Sequence, residues 1–86
     1  MYKMLTDKIS ENKNSVMISV VVNDTLVAEL NFEPDDISYS KDGDIFVKYN
    51  GVDVTIPVDS ADDILYDDIY ETFDINFGEI NVSVTF

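Results

Sequence analysis

VMISVVVNDTLVAELNF (16–32) decides the fold class of this chain, because two runs of strand composition flank a turn. The runs VMISVVV (16–22) and LVAELNF (26–32) are rich in β-branched and apolar residues, which favour strands. The intervening NDT (23–25) is typical of a hairpin turn. The sequence therefore predicts a β-hairpin near the start of the domain.

Strand patterns continue from this hairpin toward the C-terminus. They are ISYS (37–40), IFVKY (45–49), VDVTIPV (52–58) and INVSVTF (80–86). Asn50-Gly51 predicts a type I′ turn between two of these strands. On the N-terminal side, MYKMLTDKISENKNS (1–15) carries Leu5 and Ile9 four residues apart, which indicates a short helix or a frayed lead-in.

The acidic segment DSADDILYDDIYETFD (59–74) predicts a helix before the last strand. Ser60 can cap such a helix, and a turn of 100° per residue separates an apolar arc from an acidic face. The apolar arc contains Ala61, Leu65, Tyr66, Ile69 and Phe73. The acidic face contains Asp63, Asp67, Glu71 and Asp74, with Ile64 among them. We therefore expect one α+β domain over 1–86, an antiparallel β-meander of about five to six strands with one acidic amphipathic helix before the last strand.

The net charge of −13 is concentrated in the second half of the chain. Residues 1–48 hold nine acids and five lysines, whereas residues 49–86 hold nine acids and no basic residue. Direct binding to DNA, RNA or an anionic membrane needs clustered Lys or Arg, so these partners are disfavoured. Charge complementarity favours a basic protein surface. A solvated acidic face that only aids solubility is the alternative.

Catalysis is disfavoured by composition, because the chain has no histidine, cysteine or arginine. These residues supply the commonest general base, the strongest nucleophile and the usual phosphate clamp. Oxygen ligands for Ca²⁺ are offered by the loop acids Asp35, Asp36, Asp42 and Asp44 and by Asp59, Asp62 and Asp63, although the EF-hand pattern is not met. A small structural or assembly module joined through a sheet edge is the other alternative. We expect no catalytic residue and no cofactor.

The acidic face of the predicted helix is the candidate binding site. Asp63, Asp67 and Glu71 recur every four residues, so on a helix their carboxylates lie about 5–6 Å apart, close to the spacing of successive phosphates. Each like-charge pair four residues apart costs about 0.2–0.5 kcal/mol, which favours a role in binding over a role in stability. The predicted partner-binding residues are Asp59, Asp62, Asp63, Ile64, Tyr66, Asp67, Asp68, Tyr70, Glu71 and Asp74.

In size, charge, use of lysine without arginine and the segment 59–74, the chain resembles the acidic DNA mimics of phages and mobile elements, among them anti-CRISPR and anti-restriction proteins. YDDIYE (66–71) is also similar to the Tyr-plus-acid segments of nuclease immunity proteins, whose mostly helical fold differs from the β-rich pattern here. The resemblance implies an inhibitor that blocks a nucleic-acid-binding surface. Since the sequence has no leader and no apolar run long enough for a membrane, we expect a protein of the cytoplasm, of its own cell or of a host cell. The high net charge makes a monomer the expected form rather than a homodimer.

Overall fold

The computed structural model describes residues 1–86. It contains one helix and eight strands, and the strands form two antiparallel sheets. The elements are α1 (Tyr2–Glu11), β1 (Val16–Val22), β2 (Thr25–Phe32), β3 (Ile37–Tyr39), β4 (Ile45–Tyr49), β5 (Val52–Ile56), β6 (Asp63–Asp67), β7 (Thr72–Phe77) and β8 (Ile80–Thr85). Single 3₁₀ turns lie at Pro34–Asp36 and Val58–Ser60. The α+β class and the N-terminal helix are confirmed.

The larger sheet has the strand order β2-β1-β8-β7-β6, and the smaller one has the order β3-β4-β5. In the larger sheet the C-terminal strand lies in the middle, because β8 pairs with both β7 and β1. The expected meander of five to six strands is therefore met only in outline. The strands are antiparallel as predicted, but eight of them form two sheets.

Two-residue turns join β1 to β2, β4 to β5 and β7 to β8. Asn23-Asp24 has φ angles of 49° and 64°, and Asn50-Gly51 has φ angles of 51° and 79°. Positive φ at both central residues defines the type I′ turn, whose twist matches that of the flanking strands. Both predicted hairpins are confirmed. Gly78, at a φ of 78°, opens a third two-residue turn between β7 and β8.

The hydrophobic core lies between the inner faces of the two sheets and under α1. Its buried residues are Leu5, Ile9, Val16, Ile18, Phe32, Ile37, Ile45, Val47, Ile56, Val58, Phe73, Ile75, Val82 and Val84. An apolar cavity of about 140 Å³ lies between the sheets and is open to solvent, since Tyr49 and Val54 in its lining are exposed. The Phe32 and Tyr49 rings meet edge to face beside this cavity, with centroids 6.4 Å apart.

The predicted acidic helix is wrong. Residues 59–74 form the end of a 3₁₀ turn, then β6, a turn at residues 68–71 and the start of β7. Ser60 ends the 3₁₀ turn and does not cap a helix. The reason is that the segment also contains a two-residue period: Ile64 and Tyr66 on β6 face Ile75 and Phe73 on β7. Pairing along β8 allows these side chains to pack against the core, so tertiary packing prevails over the local helical pattern.

This change of secondary structure reverses the placement of several side chains. Leu65 and Ile69, expected in the core, are exposed. Ile64, expected among the acids, is half-buried and packs against the core. Phe73 is fully buried, as expected.

Candidate partner-binding surface

The acidic hairpin, which we define as residues 59–77, is the most acidic part of the surface. Its seven acids are Asp59, Asp62, Asp63, Asp67, Asp68, Glu71 and Asp74, and all except the half-buried Asp74 are exposed. Only Glu71 has an ion-pair partner, the Lys8 amine at 3.0 Å. That hydrogen bond, with the attraction of the carboxylate, raises the pKa of Lys8 above its ordinary value. The remaining carboxylates of the hairpin have no lysine within 4 Å.

Three of these carboxylates surround an exposed leucine on the outer face of the larger sheet. The alternation of β6 places Asp63 and Asp67 on either side of Leu65, and Asp74 pairs with Leu65 across the sheet. Diagonal neighbours on adjacent strands lie about 7–8 Å apart. Asp63 and Asp67 are four residues apart on one strand, so they are separated by about 13 Å.

The predicted ladder of Asp63, Asp67 and Glu71 at helical spacing does not exist, since Glu71 lies in the turn.

Hydrogen bonds between side chains hold this outer face in place. The Asn76 amide donates to the Asp63 carboxylate, and the Asn81 amide donates to the Asn76 side-chain oxygen. The Ser83 hydroxyl donates to Asp74 Oδ1 at 2.6 Å. The carboxylates of Asp63 and Asp74 therefore have defined positions on the sheet.

The hairpin tip, which we define as residues 68–71, presents two apolar side chains to solvent. Ile69 is 81% exposed and Tyr70 is 71% exposed. The turn itself is well held: Asp67 Oδ1 accepts the backbone N–H of Ile69 at 2.9 Å and that of Tyr70 at 3.4 Å. At its other end, the Glu71 carbonyl accepts the N–H of Phe86 at 3.0 Å.

Two of the predicted binding residues do not belong to this surface. Tyr66 is half-buried, and its ring centroid lies 4.5 Å from that of Phe73. The Lys8 amine lies over the Tyr66 ring, 6.0 Å from the ring centroid. Ile64 packs against the core. Conversely, Leu65 and Ile69 lie among the acids and were missed. The alternation of DILYD (63–67) is the sequence signal that could have revealed them.

The remaining predicted residues fall into two places. Asp63, Asp67 and Asp74 lie on the outer face, and Asp68, Tyr70 and Glu71 lie at the hairpin tip. Asp59 and Asp62 precede β6, where the Asp59 backbone N–H donates to the Gly43 carbonyl at 2.8 Å.

The loop acids that could serve a metal are spread along the chain. Asp35 and Asp36 lie in the first 3₁₀ turn, whereas Asp42 and Asp44 lie in the loop between β3 and β4. No group of three or more acidic side chains is placed where it could hold a metal ion.

The single helix has ten residues, and no helix here is long and apolar enough to cross a membrane. Comparison with known proteins found no matching family model, no matching curated protein and no matching solved structure.

Proposed function

We propose that this protein is a non-catalytic inhibitor that binds the basic nucleic-acid-binding surface of a defence nuclease, in the first place a CRISPR effector, and competes with its DNA or RNA. The observation that carries the proposal is the acidic hairpin, in which only one of the six exposed acids, Glu71, has a lysine partner. A surface lined with Lys and Arg would supply the missing counter-charges. The inhibitor would offer a cluster of anions without a bond that the nuclease can cleave.

The electrostatic energy of the hairpin supports a role in binding. Asp63, Asp67 and Asp74 lie at diagonal or same-strand positions about 7–13 Å apart, and no lysine within 4 Å offsets their mutual repulsion. A net charge of −13 also steers the chain toward a basic surface and raises the association rate. Both effects act only over about a Debye length, roughly 10 Å at 0.1 M salt, so binding should weaken as salt is added.

The expected compartment and oligomeric state follow from this proposal. A CRISPR effector or restriction nuclease acts in the cytoplasm, so the inhibitor would work there, in a host cell if a phage encodes it. The strong net charge makes a monomer the expected form, because copies of the chain repel one another.

A competition assay tests the proposal directly. Purified CRISPR effector complexes and restriction endonucleases are mixed with fluorescently labelled target DNA, and the chain is titrated while fluorescence anisotropy reports the bound DNA. We expect the parent chain to displace DNA from at least one member of this panel. Displacement should require more of the chain at 300 mM than at 50 mM NaCl. A chain that displaces DNA from none of them would exclude the proposed function.

Matched charge variants locate the binding site. The variant Asp63→Asn/Asp67→Asn/Asp68→Asn removes three charges from the hairpin, and asparagine keeps the acceptor oxygen that Asp67 uses in the turn. The control variant Asp35→Asn/Asp36→Asn/Asp42→Asn removes three charges from the loops. We expect the hairpin variant to lose at least about tenfold in apparent affinity, and the control to lose much less. Equal losses would mean that total charge, rather than the hairpin, drives binding.

An assembly module is the second candidate, because β2 is an edge strand with exposed apolar residues. Leu26 and Val27 lie on this edge, and an unpaired strand edge can pair with another chain. Light scattering after size exclusion separates the two functions. A defined oligomer that the variant Val27→Lys converts to a monomer would favour assembly.

A further inference from the structure

The hairpin tip combines the two most exposed large apolar side chains of the molecule with three flanking acids. Ile69 and Tyr70 are adjacent in the turn, and both stay largely outside the core. Asp68 and Glu71 adjoin them in the turn, and Asp67 precedes them at the end of β6. Such exposure contributes little to folding, so the free energy of burying these two side chains remains available for binding.

We propose that the hairpin tip is the anchor of the interface: Ile69 and Tyr70 insert into an apolar pocket of the target protein whose rim carries Lys or Arg. This inference rests on the proposed function and names the kind of pocket that the target must have. Charge complementarity is the reason for expecting a basic rim on the target pocket. An apolar pocket with an acidic rim would repel Asp67, Asp68 and Glu71, as would a second copy of this chain or an anionic membrane.

The tip is ordered before it binds, which favours its use as an anchor. The Asp67 carboxylate accepts two backbone N–H groups of the turn, and the Thr72 hydroxyl donates to the Tyr70 carbonyl at 3.2 Å. The Lys8–Glu71 ion pair and the Phe86 N–H further join the end of the turn to the rest of the domain. A side chain on an ordered turn loses less conformational entropy on binding than one on a flexible loop.

The two parts of the hairpin should therefore affect different rate constants. Exposed acids act at long range and set the association rate and its salt dependence. Buried anchors act at contact and set the dissociation rate, and tyrosine is among the residues most enriched at such positions. The double variant Ile69→Ser/Tyr70→Ser should thus raise the dissociation rate while it leaves the association rate nearly unchanged.

The test measures both rate constants by biolayer interferometry, with the effector that the parent chain displaces from DNA. The control variant is Leu26→Ser/Val27→Ser, which removes two exposed apolar side chains from β2, at the opposite edge of the larger sheet. We expect the tip variant to dissociate about 30-fold faster or more, as loss of a strong anchor does. Its association rate and salt dependence should stay within about twofold of the parent's, and the control should match the parent. Urea unfolding of all three chains confirms that the variants are folded.

The outcomes separate this inference from the proposed function. A tip variant that dissociates at the parental rate, while Asp63→Asn/Asp67→Asn/Asp68→Asn loses affinity, would overturn the anchor and leave the proposed inhibitor function in place. A tip variant that loses binding, while the charge variant still binds and competes normally, would overturn the proposed acidic mimicry and the basic rim together, because Asp67 and Asp68 are neutral in the charge variant. If the parent chain self-associates and the tip variant does not, the tip binds a second copy of the chain. This result would also overturn the anchor. A parent chain that binds no member of the panel overturns both proposals.

Discussion

The pairing register of β6 and β7 can be tested by truncating two apolar side chains with opposite environments. Leu65 is 58% exposed on the outer face, whereas Phe73 is fully buried on the inner face. The Phe73 ring contacts those of Tyr66 and Phe86, at centroid distances of 4.5 Å and 5.9 Å. A helix over 59–74 would have buried both Leu65 and Phe73, so the two mutations distinguish the folds.

The expected magnitudes follow from this burial. Leu65→Ala removes side-chain carbon that is more than half exposed, so it should cost about 1 kcal/mol or less. Phe73→Ala removes a buried ring and leaves a cavity, which costs about 3–5 kcal/mol. At 0.05–0.15 kcal/mol per residue the whole domain is stable by roughly 4–13 kcal/mol, so Phe73→Ala leaves it close to unfolding. Phe73→Leu is the milder companion variant and should still cost more than Leu65→Ala.

Urea unfolding measures these differences. Far-UV circular dichroism reports the transition, and fluorescence of the five tyrosines gives an independent probe in a chain without tryptophan. The observed register predicts nearly equal midpoints for the parent and Leu65→Ala, and a much lower one for either Phe73 variant. A cost for Leu65→Ala of 2 kcal/mol or more would refute it, because a shift of one residue in β6 turns Leu65 inward.

Three further predictions concern turns, ionisation and net charge. Gly43→Ala should cost about 1–3 kcal/mol in urea unfolding and more than Gly51→Ala, because both have positive φ but only at Gly43 would a Cβ lie 2.7 Å from Asp59 Cβ; equal costs would contradict this. Tyr2→Phe should cost about 1 kcal/mol, because the Tyr2 hydroxyl donates to the Ser40 carbonyl at 2.6 Å. Burial raises the pKa of Tyr2, so the folded state keeps this proton longer than the unfolded state does; the stability that it contributes is present below pH 10 and lost as pH rises further. The difference in urea midpoint between the parent and Tyr2→Phe should therefore be smaller at pH 11 than at pH 8. A difference that is the same at both pH values would contradict this role of the Tyr2 hydroxyl. Finally, raising NaCl from about 10 mM to 300 mM should raise the Tm measured by calorimetry, because salt screens the self-repulsion of a chain with a net charge of −13. A lower Tm would show that the three exposed ion pairs stabilise the fold by more than this repulsion destabilises it.

The surface position of the acids in 59–74 was predicted from the sequence, but their arrangement was not. The acidic residues of 59–74 do lie at the surface, because charge is costly to bury whatever the secondary structure. Which apolar residues accompany them depends on the backbone period. A helical period placed Ile64 outside and Leu65 inside, and the strand period reverses both.

One missed signal would have corrected the secondary structure. TFDINF (72–77) and INVSVT (80–85) are alternating runs separated by two residues, Gly78-Glu79, and glycine at the first central position is typical of a type II′ hairpin. Recognising that hairpin would have made residues 72–77 a strand. A helix through Phe73 would then have been impossible.

The sequence by itself determined the features that depend on neighbouring residues. The turns at Asn23-Asp24 and Asn50-Gly51, the strands beside them and the net charge require no distant contact. Only the tertiary structure decided the conformation of 59–74, since that segment contains both a helical and a two-residue period. The decision came from β8, which pairs with β7 on one side and β1 on the other and allows Phe73 and Ile75 to be buried completely. Burial of these side chains outweighs the local helical pattern, and it leaves Ile69 and Tyr70 exposed at the hairpin tip.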